Sequence, residues 1–188
     1  MAHSDEAEKY SAAAFATKHE DAIYFSKRVT RAVPDGGPIE AHTDLVKKLD
    51  YECELAVVLG RDARDVPAGQ TRDYIFGYTI LNDVSARDVQ TAHKQWYFGK
   101  SLDGFTPIGP CIVTADAFAD YPPRLGIRSF VNGEKRQDSN TALQIFDIDH
   151  VIAELSQGMT LKAGTIIATG TPAGVGMGMD PPQFLKPG

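Results

Sequence analysis

The sequence predicts a mainly β domain with short helices, an α+β class, and three observations predict it. Short runs rich in Val, Ile, Tyr and Thr recur through the chain: ECELAVVL, YIFGYTIL, CIVT, IRSFV and TIIAT. Turn-forming clusters bound them, among them PDGGP at 34–38 and the hairpin pair Asn132-Gly133. Beyond the N-terminal stretch, helical spacing of apolar residues is confined to segments of about three turns or fewer.

Each element follows in order. Residues 2–19 carry Ala, Glu and Lys without Gly or Pro, which predicts a helix capped by Ser4 or Asp5. IYFSKRV at 23–29 is a strand candidate. Asp50–Leu59 is predicted as a strand, 61–70 as a polar loop, and Tyr74–Leu81 as a second strand. Residues 85–96 (SARDVQTAHKQW) read as a helix capped by Asn82, Asp83 or Ser85. Strands are expected at 111–114 and 127–131, and a helix over 146–156, with Ile148, Val151, Ile152 and Leu155 on one side. Thr165–Thr169 reads as a buried strand feeding the glycine-rich stretch GTPAGVGMG at 170–178. No internal repeat, low-complexity tract or interdomain linker interrupts this order.

The 188 residues suit one domain with a real core, and a composition 43% hydrophobic and 23% charged excludes disordered and fibrous classes. A net charge of -6 without a basic cluster argues against a nucleic-acid partner. No apolar run reaches membrane-spanning length and the first thirty residues are polar, so no membrane role is expected. The two cysteines, Cys53 and Cys111, sit in apolar runs and read as small buried side chains in a reducing, cytoplasmic setting.

The chemistry-bearing residues cluster. Glu52 and Glu54 stand two apart in a predicted strand, so both carboxylates share a face, and Asp83 ends the next strand. Converging carboxylates repel unless a cation neutralises them or one takes up a proton. All-oxygen ligation favours Mg²⁺, with Mn²⁺ or, less readily, Ca²⁺ in its place, over Zn²⁺. The same spacing also suits a half-exposed strand with both glutamates in water. Arg87 and Gln90, three apart, are neighbours on one helix face, and Lys100 follows; they suit a carboxylate ligand, or equally a solvated helix. The loop at 170–178 lacks the Gly-Lys-Ser/Thr ending of a phosphate loop, and Pro181-Pro182 stands where a dinucleotide fold needs a helix. It reads as a tight loop approaching a ligand, with Thr169, Gly170 and Thr171 at its start, or as an ordinary turn. His3 and Glu6, spaced one helical turn apart, suit a general base with its orienting carboxylate, or a merely solvated terminal helix. Neither a Gly-x-Ser-x-Gly elbow nor a cysteine with a neighbouring base occurs, which argues against nucleophilic serine or cysteine chemistry.

Five segments in order, DYECELAVVLG, GYTILNDVSARDVQ, WYFGKSLDGFTPIGP, VNGEKRQ and LKAGTIIATGTPAGVG, resemble the catalytic domain of the fumarylacetoacetate hydrolase family, its acylpyruvase-like members in particular. The resemblance implies a mixed β-sandwich roll, usually a homodimer, acting on a small 2-oxo acid or dicarboxylate. It assigns Mg²⁺ or Mn²⁺ to Glu52, Glu54 and Asp83, substrate binding to Arg87, Gln90 and Thr169–Thr171, and an active-site lysine to Lys100. His3 and Glu6 match the family's lid dyad, although the Asn-Tyr that precedes that dyad in the family is absent. Residues 1–30 would then hold the lid helix and an entry strand, and 31–188 the catalytic domain without its final strands. The implied activity is hydrolysis of a carbon-carbon bond in an acylpyruvate-like diketo acid. Its rivals are isomerisation of a 2-hydroxymuconate-type acid, decarboxylation of oxaloacetate, and a domain that binds metal and dicarboxylate without turnover.

Overall fold

A computed structural model describes residues 21–188, and the predicted N-terminal helix, with His3 and Glu6, lies outside them. The elements are β1 (Leu49–Asp50), β2 (Cys53–Leu59), β3 (Ile75–Asn82), β4 (Ser85–Ala86), α1 (Arg87–Ala92), α2 (Tyr97–Lys100), β5 (Ile108–Thr114), β6 (Gly126–Val131), β7 (Glu134–Asn140), α3 (Ile148–Leu155) and β8 (Ile166–Ala168). Mainly β with short helices is therefore the observed class. A four-stranded antiparallel sheet in the order β5-β3-β2-β8 forms the frame, β6 and β7 make a separate hairpin, and β1 pairs with β4.

β2 is buried along its whole length because it has strands on both sides and packing on both faces. Alternation then sorts its side chains: Leu55, Val57 and Leu59 enter one core with Ile75, Tyr78 and, from α3, Ile148 and Ile152. Glu54, Ala56 and Val58 take the other parity. The register Cys53↔Asn82 sets the start of β2 beside the end of β3, so Asp83 emerges next to the glutamates. A second core of Val46, Leu49, Val84, Ala86, Val89 and Phe105 gathers around β1, β4 and α1.

Several expectations change. The segment 23–29 runs without a ladder partner and is no strand. The helix expected over 85–96 is split: Lys94 takes φ 59, and a short second helix ends at Lys100. Its start has no side-chain cap. Asn82 Oδ1 accepts instead from the Glu52 N–H at 3.0 Å, and the Ser85 hydroxyl donates to the Asp83 carbonyl at 2.8 Å. β8 is not buried; Ile166 is 49% exposed because β8 is an edge strand paired only with β2 among the described residues. Cys111 is likewise exposed, on β5 at the opposite edge, whereas Cys53 is buried. The Asn132-Gly133 turn joins β6 to β7 with both residues at positive φ (51 and 81), the geometry that this pair tolerates best.

Candidate active site and metal centre

The start of β2, the exit of β3 and the split helix bring the charged residues together. One carboxylate oxygen from each of Glu52, Glu54 and Asp83 lies within 4.8 Å of the others, and all three side chains are buried. The Asp83 N–H donates to the Glu52 carbonyl at 2.8 Å, which ties the two carboxylate-bearing turns directly. Lys100 reaches this cluster because α2 lies hard against α1: a Cβ on Gly99 would stand 2.6 Å from the Gln90 backbone nitrogen. Its ammonium bridges Glu52 Oε2 at 2.7 Å and Asp83 Oδ2 at 2.8 Å. Two of its three N–H donors are thereby used among the described residues, and the same nitrogen lies 5.6 Å from the centroid of the Phe25 ring.

Arg87 donates through Nε to Asp50 Oδ2 at 2.9 Å and pairs through Nη1 with Glu52 Oε1 at 2.6 Å. The same Nη1 lies 3.2 Å from Gln90 Oε1, so the two residues are neighbours as their spacing predicts, and among the described residues the arginine forms ion pairs with Asp50 and Glu52. Lys27 enters from the ladderless segment and bonds Asp83 Oδ1. Sequence reasoning missed Lys27, since nothing in IYFSKRV distinguishes it from a surface lysine. Phe25, from the same segment, packs edge-on to Trp96 with ring centroids 5.2 Å apart.

The electrostatics separate the two glutamates. Burial pushes the Glu52 carboxyl upward, but Lys100 and Arg87 outweigh it and hold its pKa near 2. Glu54 makes no ion pair among the described residues; burial, then the charge of Asp83, raises it to about 8. Its Oε2 accepts the Gly170 N–H at 2.7 Å. Lys100 is raised, because Asp83 and Glu52 overcome the burial that would lower it, and Lys27 is lowered by its burial. Among the described residues the cluster holds four carboxylates, Asp50, Glu52, Glu54 and Asp83, against the three cations Lys27, Arg87 and Lys100. These residues by themselves leave one negative charge in excess, which a proton on Glu54 or a bound cation would neutralise. Three buried oxygens converging without nitrogen or sulfur fit a hard divalent ion.

The loop at 169–171 is strapped to β2. The hydroxyls of Thr169 and Thr171 donate to the Leu55 and Cys53 carbonyls at 2.8 and 3.0 Å, so both hydroxyl hydrogens point into the protein. Gln137 Nε2 donates to Thr171 Oγ1 at 2.7 Å, and Gln137 Oε1 accepts from the Cys53 N–H at 3.1 Å. Gln137 lies on β7, whose polar sequence EKRQDSN hides it from sequence reasoning. A cavity of about 960 Å³ opens over the cluster, reached by Glu52, Glu54, Asp83, Arg87, Gln90, Lys100 and Thr171; Thr169 and Gly170 stand behind its wall. Beyond the charged end its walls are apolar, with Val151, Leu155 and Ile166 among them.

Fold and site together define an antiparallel β scaffold that buries an all-oxygen carboxylate triad beneath a ligand-sized cavity. Residues 1–188 match the family model described as fumarylacetoacetate (FAA) hydrolase C-terminal, and the chain belongs to that family of enzymes, with its catalytic-domain fold. It is 45% identical over 169 residues to oxaloacetate tautomerase YisK of Bacillus subtilis (strain 168), covering 90% of this chain and 56% of that protein. A solved fumarylacetoacetate hydrolase from psychrophilic Exiguobacterium antarcticum is 52% identical, with a TM-score of 0.77 over 80% of this chain and 54% of the other. Fumarylpyruvate hydrolase from Pseudomonas aeruginosa, solved in complex with Mn²⁺ and pyruvate, is 31% identical with a TM-score of 0.69, covering 77% of this chain and 64% of that one. The chain spans a little over half the length of the curated relatives it matches.

Proposed function

We propose that the chain carries the active site of a divalent-metal-dependent enzyme of 2-oxo acids, and that its reaction is hydrolysis of a carbon-carbon bond in an acylpyruvate-like diketo acid. One observation carries the reading: Glu52, Glu54 and Asp83 converge, buried, at the floor of a cavity that also presents Arg87, Gln90 and Lys100. Glu52, Glu54 and Asp83 would hold Mg²⁺ or Mn²⁺, and the ion supplies Lewis-acid polarisation of a 2-oxo carboxylate head. A relative solved with Mn²⁺ and pyruvate supports both the ion and the ligand class.

Arg87 and Gln90 orient the head of the substrate. The ammonium of Lys100 stabilises the negative charge that develops on the 2-oxo oxygen as the bond breaks. His3, oriented by Glu6, takes a proton from water, which attacks the distal carbonyl; the electron pair of the broken bond leaves as an enolate that is protonated to pyruvate or a relative. The 45% identity to an oxaloacetate tautomerase supports a second reading, proton transfer on a 2-oxo acid without bond cleavage, as in a tautomerase or a 2-hydroxymuconate-type isomerase. Both readings use the same enolate-stabilising end of the cavity.

Purified protein with Mg²⁺ should consume an acylpyruvate and release pyruvate, and Glu52→Ala should not. Loss of the enol absorbance of oxaloacetate without pyruvate release selects the second reading. If neither compound is turned over, both readings fail.

A further inference from the structure

Asp50 is fully buried, and it is neither a member of the carboxylate triad nor part of the cavity wall. Its carboxylate is nonetheless crowded with donors. Oδ1 accepts the N–H of Gly176 at 2.7 Å and of Tyr51 at 3.0 Å. Oδ2 accepts the Met177 N–H and Arg87 Nε, both at 2.9 Å. Gly176 is required for this approach, since a Cβ there would lie 2.7 Å from Asp50 Oδ1. One side chain thus joins β1, the first residue of α1 and the loop at 174–178, whose Met177 lines the cavity.

The consequence for Arg87 is geometric. With Nε bonded to Asp50 and Nη1 to Glu52 and Gln90, the planar guanidinium is restrained at both ends, its Nη edge toward Glu52, Gln90 and the cavity. We infer that Asp50 is a positioning residue, which aims Arg87 at the carboxylate head of the ligand. The inference rests on the proposed function for the identity of that ligand. Asp50→Asn is a sharp probe, because whichever way the amide turns, its NH₂ faces two N–H donors.

The test measures binding of oxalate, a planar dicarboxylate that mimics a 2-oxo acid enolate, to the Mn²⁺-loaded 188-residue chain by calorimetry. Asp50→Asn should weaken oxalate roughly ten- to hundredfold while Mn²⁺ binding in the absence of oxalate is retained. Combined with Arg87→Ala it should add nothing to the loss from Arg87→Ala alone, because both act through one guanidinium. Unchanged oxalate affinity, additive losses, or loss of Mn²⁺ binding by a folded Asp50→Asn protein would each overturn the inference. A separate readout needs neither ligand nor an Asp50 variant: the Arg87 Nε–H resonance of the wild type, assigned by its loss in Arg87→Lys, should exchange slowly with solvent. Fast exchange overturns the inference even if Asp50→Asn does not fold. Failure of wild-type protein to bind oxalate breaks the proposed function instead, and the Nε–H signal then judges Asp50 alone.

Discussion

Two charged clusters in this protein are built from the same groups and differ in burial. On the β6–β7 hairpin, Asp138 pairs with Arg128 at 2.8 Å and with Lys135, all three largely in water. At the start of β2, Lys100 bridges Glu52 and Asp83 at nearly the same distances, but at 2% exposure. Water screens the first set, so its ion pairs are worth little. In the second no solvent compensates a missing partner, so every charge there is constrained by its neighbours. Two adjacent glutamates are thereby driven to opposite states, Glu52 held near pKa 2 and Glu54 raised to about 8.

Glu52→Gln should break the buried cluster most severely. It strips Lys100 and Arg87 of a shared partner and should cost about 3–5 kcal/mol of stability, read by urea unfolding of the metal-free protein, and it should abolish Mn²⁺ binding. Lys100→Met is expected to lower kcat about 10²–10³-fold while Mn²⁺ still binds, because the carboxylates remain. A loss of metal without loss of turnover would reverse the roles assigned to these two residues.

Glu54 gives a pH signature. Its folded-state pKa of about 8 lies above the ordinary carboxylate value of 4.5, so the folded protein holds a proton that the unfolded chain has released. Stability of the metal-free protein from this group should therefore fall as pH rises from about 4.5 to about 8, and Glu54→Gln should flatten that slope. Glu52 runs the other way: its contribution is complete above 4.5 and is lost as pH falls toward 2. Melting temperatures across this range, with and without Mg²⁺, check both; the Mg²⁺-induced rise should be larger at pH 8.5 than at pH 5.5. The smallest effect belongs to the exposed cluster, where Asp138→Asn should leave both melting temperature and turnover unchanged within error.

Much of this contrast is legible in the sequence. Glu52, Glu54 and Asp83 declare themselves through strand period and strand end, and Arg87 and Gln90 through helical spacing, because these are local geometries. Lys100 is a candidate in the sequence beside Arg87 and Gln90, but the Gly99 contact is what places it in the cluster. Asp50 hides in plain view: it stands two before Glu52, but the chain leaves the ladder between β1 and β2, so its carboxylate turns to Arg87 and the 174–178 loop. Lys27 and Gln137 escape for another reason. One lies in a segment without strand pairing and the other in a strand of polar residues whose partner, β6, specifies it through the Asn132-Gly133 turn. Long-range contacts of this kind leave no local pattern.

The central claim, that three buried carboxylates form one divalent-ion site, is tested most directly by titrating Mn²⁺ into the protein and following the free-ion paramagnetic resonance signal. The account predicts one ion bound per chain, lost in Glu52→Gln, Glu54→Gln and Asp83→Asn alike and retained in Asp138→Asn. Wild-type protein that leaves the free-ion signal unchanged, or triad variants that still bind the ion as tightly as wild type, would contradict it.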